Sequence, residues 1–222
     1  MKLSDNTVSV LKNYSTINQN LLINAGSTLT TMSAMKNIVA RATTVAETFE
    51  KDVAIYDLNE FLASLSLFES PDLDFQDKFV MMGNEGSRKS LKYWYSDPSV
   101  VTTVTREITM PECEVSFKFS DKELSDITKA AAVIGVPDMV LENGSLRVTD
   151  KKNDTANHFA MEVDYVNAVE TDHKFWFKVE NLKLMPGTYE VAVSKNKISN
   201  FKNSNVDIEY FIALEPESYY GK

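Results

Sequence analysis

Between Ser120 and Gly135 the chain repeats apolar residues at three- and four-residue spacing. Leu124, Ile127, Ala131 and Ile134 fall on one stripe, and Lys122, Asp126 and Lys129 on the opposite one. Ser120 and Glu123 have the spacing of a capping box, in which each side chain accepts the other residue's backbone amide. Gly135 is the residue that most easily takes the left-handed conformation that closes a helix. The pattern predicts an amphipathic helix of about four turns. Ser4 opens a second one, with Val10, Leu11, Tyr14, Ile17 and Leu21 apolar and Ser9, Lys12, Asn13, Thr16 and Asn20 polar. Asp57 and Glu60 repeat the capping pair ahead of Leu58, Phe61, Leu62 and Leu65. A fourth, shorter helix is predicted over 180–185, stopped by Pro186 and Gly187.

Elsewhere the period shortens towards two, the signature of strands. A hairpin is predicted over 22–31 with Gly26 at its turn, then strands over 38–45, 49–56, 79–82, 91–95 and 100–105. Met110 and Pro111 mark a boundary, after which 114–119 alternates and feeds the Ser120 helix. Asn143-Gly144 is the strongest short hairpin signal, a type I′ turn within 139–148. Further strands are expected over 158–165, 174–179, 189–194 and 206–214. Laid over one another, Gly26 answers Gly144 and 56–59 answers 178–181, with an offset that drifts from 118 to 122. The chain therefore reads as two copies of helix, strands, helix, strands. It is an α+β protein with domains at 1–110 and 111–222.

With 222 residues, 43% of them hydrophobic, the chain can fill two such cores. No apolar run is long enough to span a membrane, and no leader is apparent. The lone cysteine, Cys113, excludes an internal disulfide and suits a reducing cytosol. The net charge is −9, and both halves are acidic: 10 basic against 13 acidic residues up to 110, then 13 against 19. Coating nucleic acid by bulk charge is thereby excluded, and any DNA contact must be a local basic face on an acidic body. Catalytic chemistry has little to stand on. His158 and His173 are isolated and no His/Cys cluster could hold a metal. There is no phosphate-binding Gly-Lys-Ser/Thr loop and no Gly-x-Ser-x-Gly elbow. No catalytic residue, metal or cofactor is expected.

Several blocks then carry a resemblance. Met1-Lys2-Leu3-Ser4 with Leu11-Lys12-Asn13 and Thr16-Ile17-Asn18 is similar to the first helix of the DNA polymerase sliding clamps of T-even-type tailed bacteriophages. Residues 52–59, continuing to Leu65-Ser66-Leu67, resemble that family's most recognisable block. Ser96-Asp97-Pro98-Ser99, Glu142-Asn143-Gly144 with Leu146, Met185-Pro186-Gly187-Thr188-Tyr189 and Ala213-Leu214-Glu215 agree in the same order along nearly the whole chain.

The resemblance implies the DNA-clamp fold, with two similar domains per subunit, antiparallel sheets outside and two short helices per domain lining a homotrimeric ring. Duplex DNA would pass through the ring, read without sequence preference, while the ring tethers the phage DNA polymerase. It further implies a clamp-loader ATPase, a sigma-like late-transcription factor and its co-activator as partners, no membrane, and the cytoplasm of the infected bacterial host. Lys12, Lys129 and Lys183 occupy basic positions of the family's helices, and Lys2 and Lys122 join them as DNA-facing candidates. Ala132 departs from the pattern where a second basic residue is expected on that helix, and Asp126 dilutes the same face. A partner-peptide pocket is expected near the C-terminal strand, at Tyr210, Ile212, Leu214 and Pro216. On the residues alone two other readings stay open: a non-enzymatic β-rich phage structural or adaptor protein, and a hydrolase working through a carboxylate pair.

Overall fold

The computed structural model describes every residue except Thr44, Ala168 and Lys222. The predicted strand over 38–45 thus includes one position, Thr44, outside the described residues. The chain divides into two compact units, Met1–Arg106 and Glu107–Lys222.

The first unit opens with α1 (Asp5–Ile17), where Ser4 accepts from the Thr7 amide and Val10, Leu11, Tyr14 and Ile17 are buried. Tyr14 keeps its hydroxyl satisfied inside the core by donating to the Leu29 carbonyl at 2.8 Å. There follow β1 (Leu21–Ile23), β2 (Leu29–Met32), β3 (Ile38–Ala42) and β4 (Val53–Ile55). Next comes α2 (Leu58–Leu65), whose N-cap Asp57 accepts from the amides of Asn59 and Glu60. The unit closes on an antiparallel sheet in the order β5 (Asp72–Phe75), β6 (Phe79–Gly83), β7 (Ser90–Trp94). One face of that sheet, carrying Leu73, Val80 and Met82, is buried. Tyr93 of β7 meets Phe61 of α2 edge-on, with ring centroids 5.3 Å apart.

The second unit runs β8 (Val115–Phe119), α3 (Asp121–Ile134), β9 (Asp138–Glu142), β10 (Ser145–Thr149), β11 (Phe159–Glu162) and β12 (His173–Lys178). It ends with β13 (Tyr189–Ser194), β14 (Ile198–Asn203), β15 (Ile208–Ala213) and the two-residue β16 (Tyr219–Tyr220). Two antiparallel arrays result, β11-β10-β9-β12-β16 and β8-β13-β14-β15. Helix α3 has the full capping box and closes on Gly135 at φ 69°. The β9–β10 turn places both Asn143 (φ 46°) and Gly144 (φ 85°) in the left-handed region, as a type I′ turn requires. Between the arrays lie aromatic side chains, with Phe201 packed edge-on against both Phe177 and Tyr189. The two units thus share the order helix, four strands, second helical element, closing strands; the second adds β8 ahead of its helix and closes with four strands where the first has three.

Three predicted elements fold otherwise. The hairpin over 22–31 does not form, because Leu21 of β1 pairs with Ile55 of β4 and Leu29 of β2 with Ala42 of β3. Gly26 is committed across the fold instead, exchanging two backbone hydrogen bonds of 2.8 Å with Phe49. The strand over 100–105 is absent: Asp97 caps a single 3-10 turn (Pro98–Val100), and the Thr102 amide is taken by the Asn20 side chain at 2.7 Å. The fourth helix is reduced to one 3-10 turn, Val179–Asn181, with no side-chain cap. Its backbone goes elsewhere. The Met185 amide donates to the Tyr210 hydroxyl at 3.2 Å, and the Met185 carbonyl accepts from the Tyr189 hydroxyl at 2.6 Å. Strands β5 and β14 were not legible from pattern. In β14 the polar Ser199, Asn200 and Asn203 are buried.

Candidate nucleic-acid interface

The two long helices set the geometry. Each buries one stripe, so its other stripe must face solvent or a ligand. On α1 the exposed positions are Asp5, Asn6, Ser9, Lys12 and Thr16, and Lys12 has no carboxylate partner among the described residues. On α3 the exposed positions include Lys122, Lys129, Ala132 and Val133. Lys129 likewise has no carboxylate partner among the described residues. Lys122 is not free in that sense: its ammonium lies 2.5 Å from Asp126 one turn on, and that carboxylate holds its pKa above the ordinary lysine value. Lys2 is exposed beside Asp72 at 4.0 Å. Lys183, expected on a helix, lies half-buried just past the 3-10 turn. Helix α2 presents Asn59, Glu60 and Ala63, and no cation.

The helix N-termini are not open anion sites, although backbone amides make them natural ones. At α1 the Glu47 carboxylate is folded in, accepting from the Ser4 amide and the Thr7 hydroxyl. Burial would push this carboxyl up, but the hydrogen bonds from Thr7 and Ser4 outweigh it and hold the pKa below the ordinary value. At α3 Asp121 and Glu123 occupy the first turn. Any phosphate approaching these helices is therefore met by lysine side chains along their flanks.

The predicted pocket residues distribute differently. Tyr210 and Ile212 are fully buried and Leu214 nearly so, all in the core of the second unit. Only Pro216 is exposed. The C-terminal segment around it is pinned down: the Glu215 amide donates to the Trp176 carbonyl at 2.9 Å, and the Trp176 amide to the Ser218 hydroxyl at 2.8 Å. Lys151 binds Glu215 at 2.8 Å and Glu217 at 3.0 Å. The side chains of Tyr210 and Ile212 thus serve the core.

Among the described residues no cluster of three or more His, Cys, Asp or Glu is arranged for a metal ion. No helix among them is long and apolar enough to cross a membrane.

Two units of this plan, each with an amphipathic helix and antiparallel sheets, have the fold of the DNA sliding clamps. Residues 3–102 match the family model of the DNA polymerase processivity factor, and residues 117–216 that of the gp45 sliding clamp, C-terminal domain. The chain belongs to the sliding clamps of T4-like phages. It is 34% identical to the sliding clamp of Vibrio phage KVP40, over 97% of this chain and 99% of that one. With the sliding clamp of Enterobacteria phage T4 the identity is 26%, over 98% of each chain. The fold extends further: A. fulgidus PCNA, solved with the C-terminal region of FEN-1 bound, superposes with a TM-score of 0.71 at 14% identity, covering 98% of this chain and 100% of that one. The protein is a non-enzymatic processivity factor.

Proposed function

We propose that three copies of this chain, each with clamp domains 1–110 and 111–222, close head to tail into a ring around duplex DNA and tether the phage DNA polymerase. The observation that carries this reading is a pair of open sheet edges. Two sheet edges are closed locally. Met1 exchanges hydrogen bonds with Leu73 along β5. The segment around Val166 and Asn167 covers β8 through the carbonyl and amide of Ser116. Strands β7 and β11, like β2 and β16, end their sheets with a neighbour on one side only among the described strands, and β7 and β11 each end a run of consecutive antiparallel strands, one in each unit. Proteins seldom leave such edges bare, because they invite pairing with another chain. Joining β7 of one copy to β11 of the next would satisfy both. Since the two edges lie in different units, the contact is heterologous and has to close by rotation. The three-fold count is the one the phage clamp family implies.

In that ring Lys12 and Lys129 would be the principal phosphate contacts, with Lys2, Lys122 and Lys183 secondary. Few free cations on an acidic body suit sliding, since each phosphate neutralised deepens the hold and steepens its salt dependence. The same ring would serve the clamp-loader ATPase, which opens one β7–β11 contact, and the sigma-like late-transcription factor with its co-activator, in the cytoplasm of the infected host.

The test is sedimentation at several concentrations. A species of three times the 25.0 kDa chain mass that dissociates on dilution is expected. Lys12→Glu with Lys129→Glu should then shorten polymerase runs without changing that mass. A monomer at every concentration overturns the ring and leaves the adaptor reading ahead.

A further inference from the structure

Asn143-Gly144 is the only asparagine–glycine pair in the chain, and Asn143 is exposed at its turn. Such a pair carries a chemistry of its own. The backbone nitrogen of the glycine can attack the asparagine side-chain carbon Cγ, and no side chain on the glycine obstructs the approach. The new N–Cγ bond closes a cyclic imide, the Cγ–Nδ2 bond breaks, and ammonia leaves with the proton of the attacking nitrogen. Water then opens the imide at one carbonyl or the other, leaving aspartate or isoaspartate. Nothing is oxidised or reduced.

Both reacting groups are committed to other partners in the folded chain. The Gly144 amide donates to the Tyr165 hydroxyl at 2.7 Å. That hydroxyl lies 2.6 Å from Nε2 of His173, whose Nδ1 lies 2.8 Å from the Thr171 carbonyl. A carbonyl can only accept, so Nδ1 carries the ring proton and Nε2 accepts from Tyr165. The imidazole is buried against the Tyr165 and Phe175 rings, with centroids 5.5 and 5.6 Å away. The tyrosine oxygen is thereby fixed in place as the acceptor for Gly144. The Asn143 side chain is held at both ends: Oδ1 accepts from the His173 amide at 3.2 Å, and Nδ2 donates to Asp172 at 2.9 Å. The Gly144 carbonyl accepts from the Val163 amide at 2.9 Å. Val163, Tyr165, Asp172 and His173 together bracket the turn. Cyclisation needs the Gly144 nitrogen to lose its proton and turn towards Cγ, and the side-chain amide to turn to meet it. Each motion breaks a bond of the bracket.

We infer that Asn143 is a guarded modification site, which deamidates through the imide once the bracket releases the turn and stays asparagine while the bracket holds. The product does not fit the old arrangement. Hydrogen bonding from the Asn143 amide is the first cause holding the Asp172 carboxyl below its ordinary value. Aspartate at 143 replaces that donor with a second carboxylate, and like charges so close disfavour each other. Isoaspartate also lengthens the turn backbone and draws Gly144 away from Val163. A transient opening of this corner is thus recorded permanently in the covalent structure. The inference depends neither on ring closure nor on DNA.

The test incubates the full-length protein in warm, mildly alkaline buffer and reads aspartate and isoaspartate at 143 by peptide mapping and mass spectrometry. Asn203-Ser204 is the internal reference for general unfolding, because Asn203 is buried at the end of β14. The folded parent protein should keep Asn143, and the urea-unfolded chain should lose it. Tyr165→Phe removes the acceptor of the Gly144 amide, and Asp172→Ala frees the side-chain amide. Each should speed the loss about three- to tenfold, the worth of one hydrogen bond, with no change at Asn203. If Tyr165→Phe speeds Asn203 equally it has unfolded, and Asp172→Ala, a change at an exposed residue, decides. Equal rates in the folded and unfolded parent protein, or no acceleration in Asp172→Ala, would overturn the inference. So would slower loss in Tyr165→Phe, because the hydroxyl and His173 would then be drawing the proton from Gly144 and promoting the attack.

Discussion

The two units follow one plan, yet only the first keeps its second helix. In the first unit Asp57 takes the amides of Asn59 and Glu60, and Leu58, Phe61 and Leu65 go into the core. At the matching place in the second unit Lys178 stands where the cap should be, and its ammonium is drawn 2.6 Å from the buried Asp138. The backbone beyond it is claimed at Met185 by the hydroxyls of Tyr189 and Tyr210. Apolar content is similar in both segments. What separates them is who satisfies the backbone: a cap starts a helix, and rival partners for its amides and carbonyls prevent one.

The comparison breaks most visibly at Lys178. Lys178→Ala leaves the Asp138 carboxylate buried with only the Lys151 amide for company. Urea unfolding should show a loss of about 3 kcal/mol, the low end for a broken buried pair because the lysine side chain is itself a quarter exposed. A loss below the error of the measurement would mean that water replaces the ammonium.

Glu47→Gln is the next largest. It removes the charged acceptor at the start of α1, expected to cost about 2 kcal/mol near neutral pH. Because the folded state holds this carboxyl below its unfolded pKa, its contribution is present above that unfolded value, near 4.3 for a glutamate. It disappears as pH falls through the lower folded value. Stability measured against pH should therefore fall less steeply on the acid side in Glu47→Gln than in the parent protein.

Tyr210→Phe frees the Met185 amide while keeping the ring. About 1 kcal/mol should be lost, with no gain in helical circular dichroism, since Lys178 still supplies no cap. A gain would show that the tyrosines alone suppress the fourth helix. Asp57→Ala, finally, should cost about 1 kcal/mol and fray α2. Protection of its amides from hydrogen exchange would fall first at Asn59 and Glu60.

Local chemistry made much of this molecule legible. Ser4, Asp57 and the Ser120–Glu123 box start helices where their spacing says they should, and Asn143-Gly144 can hardly do anything except turn a hairpin. The repeated plan, the α+β class and the resemblance to phage clamps follow from such signals, because each depends on residues within a few positions of one another. The stripes of α1 and α3 likewise identify Lys12 and Lys129 as outward-facing from sequence alone.

What only the tertiary structure decided was partnership over long separations. Gly26 reads as a turn until it is seen bonded to Phe49, and β14 reads as a polar link until β13 and β15 enclose it. Lys178, the buried Tyr210 and Ile212, the pairing that takes Lys122 out of the free cations, and the open edges of β7 and β11 all belong to this second kind. Hydrogen-bond and charge partners distant in the chain are chosen by packing, and no periodicity in the sequence records which donor meets which acceptor.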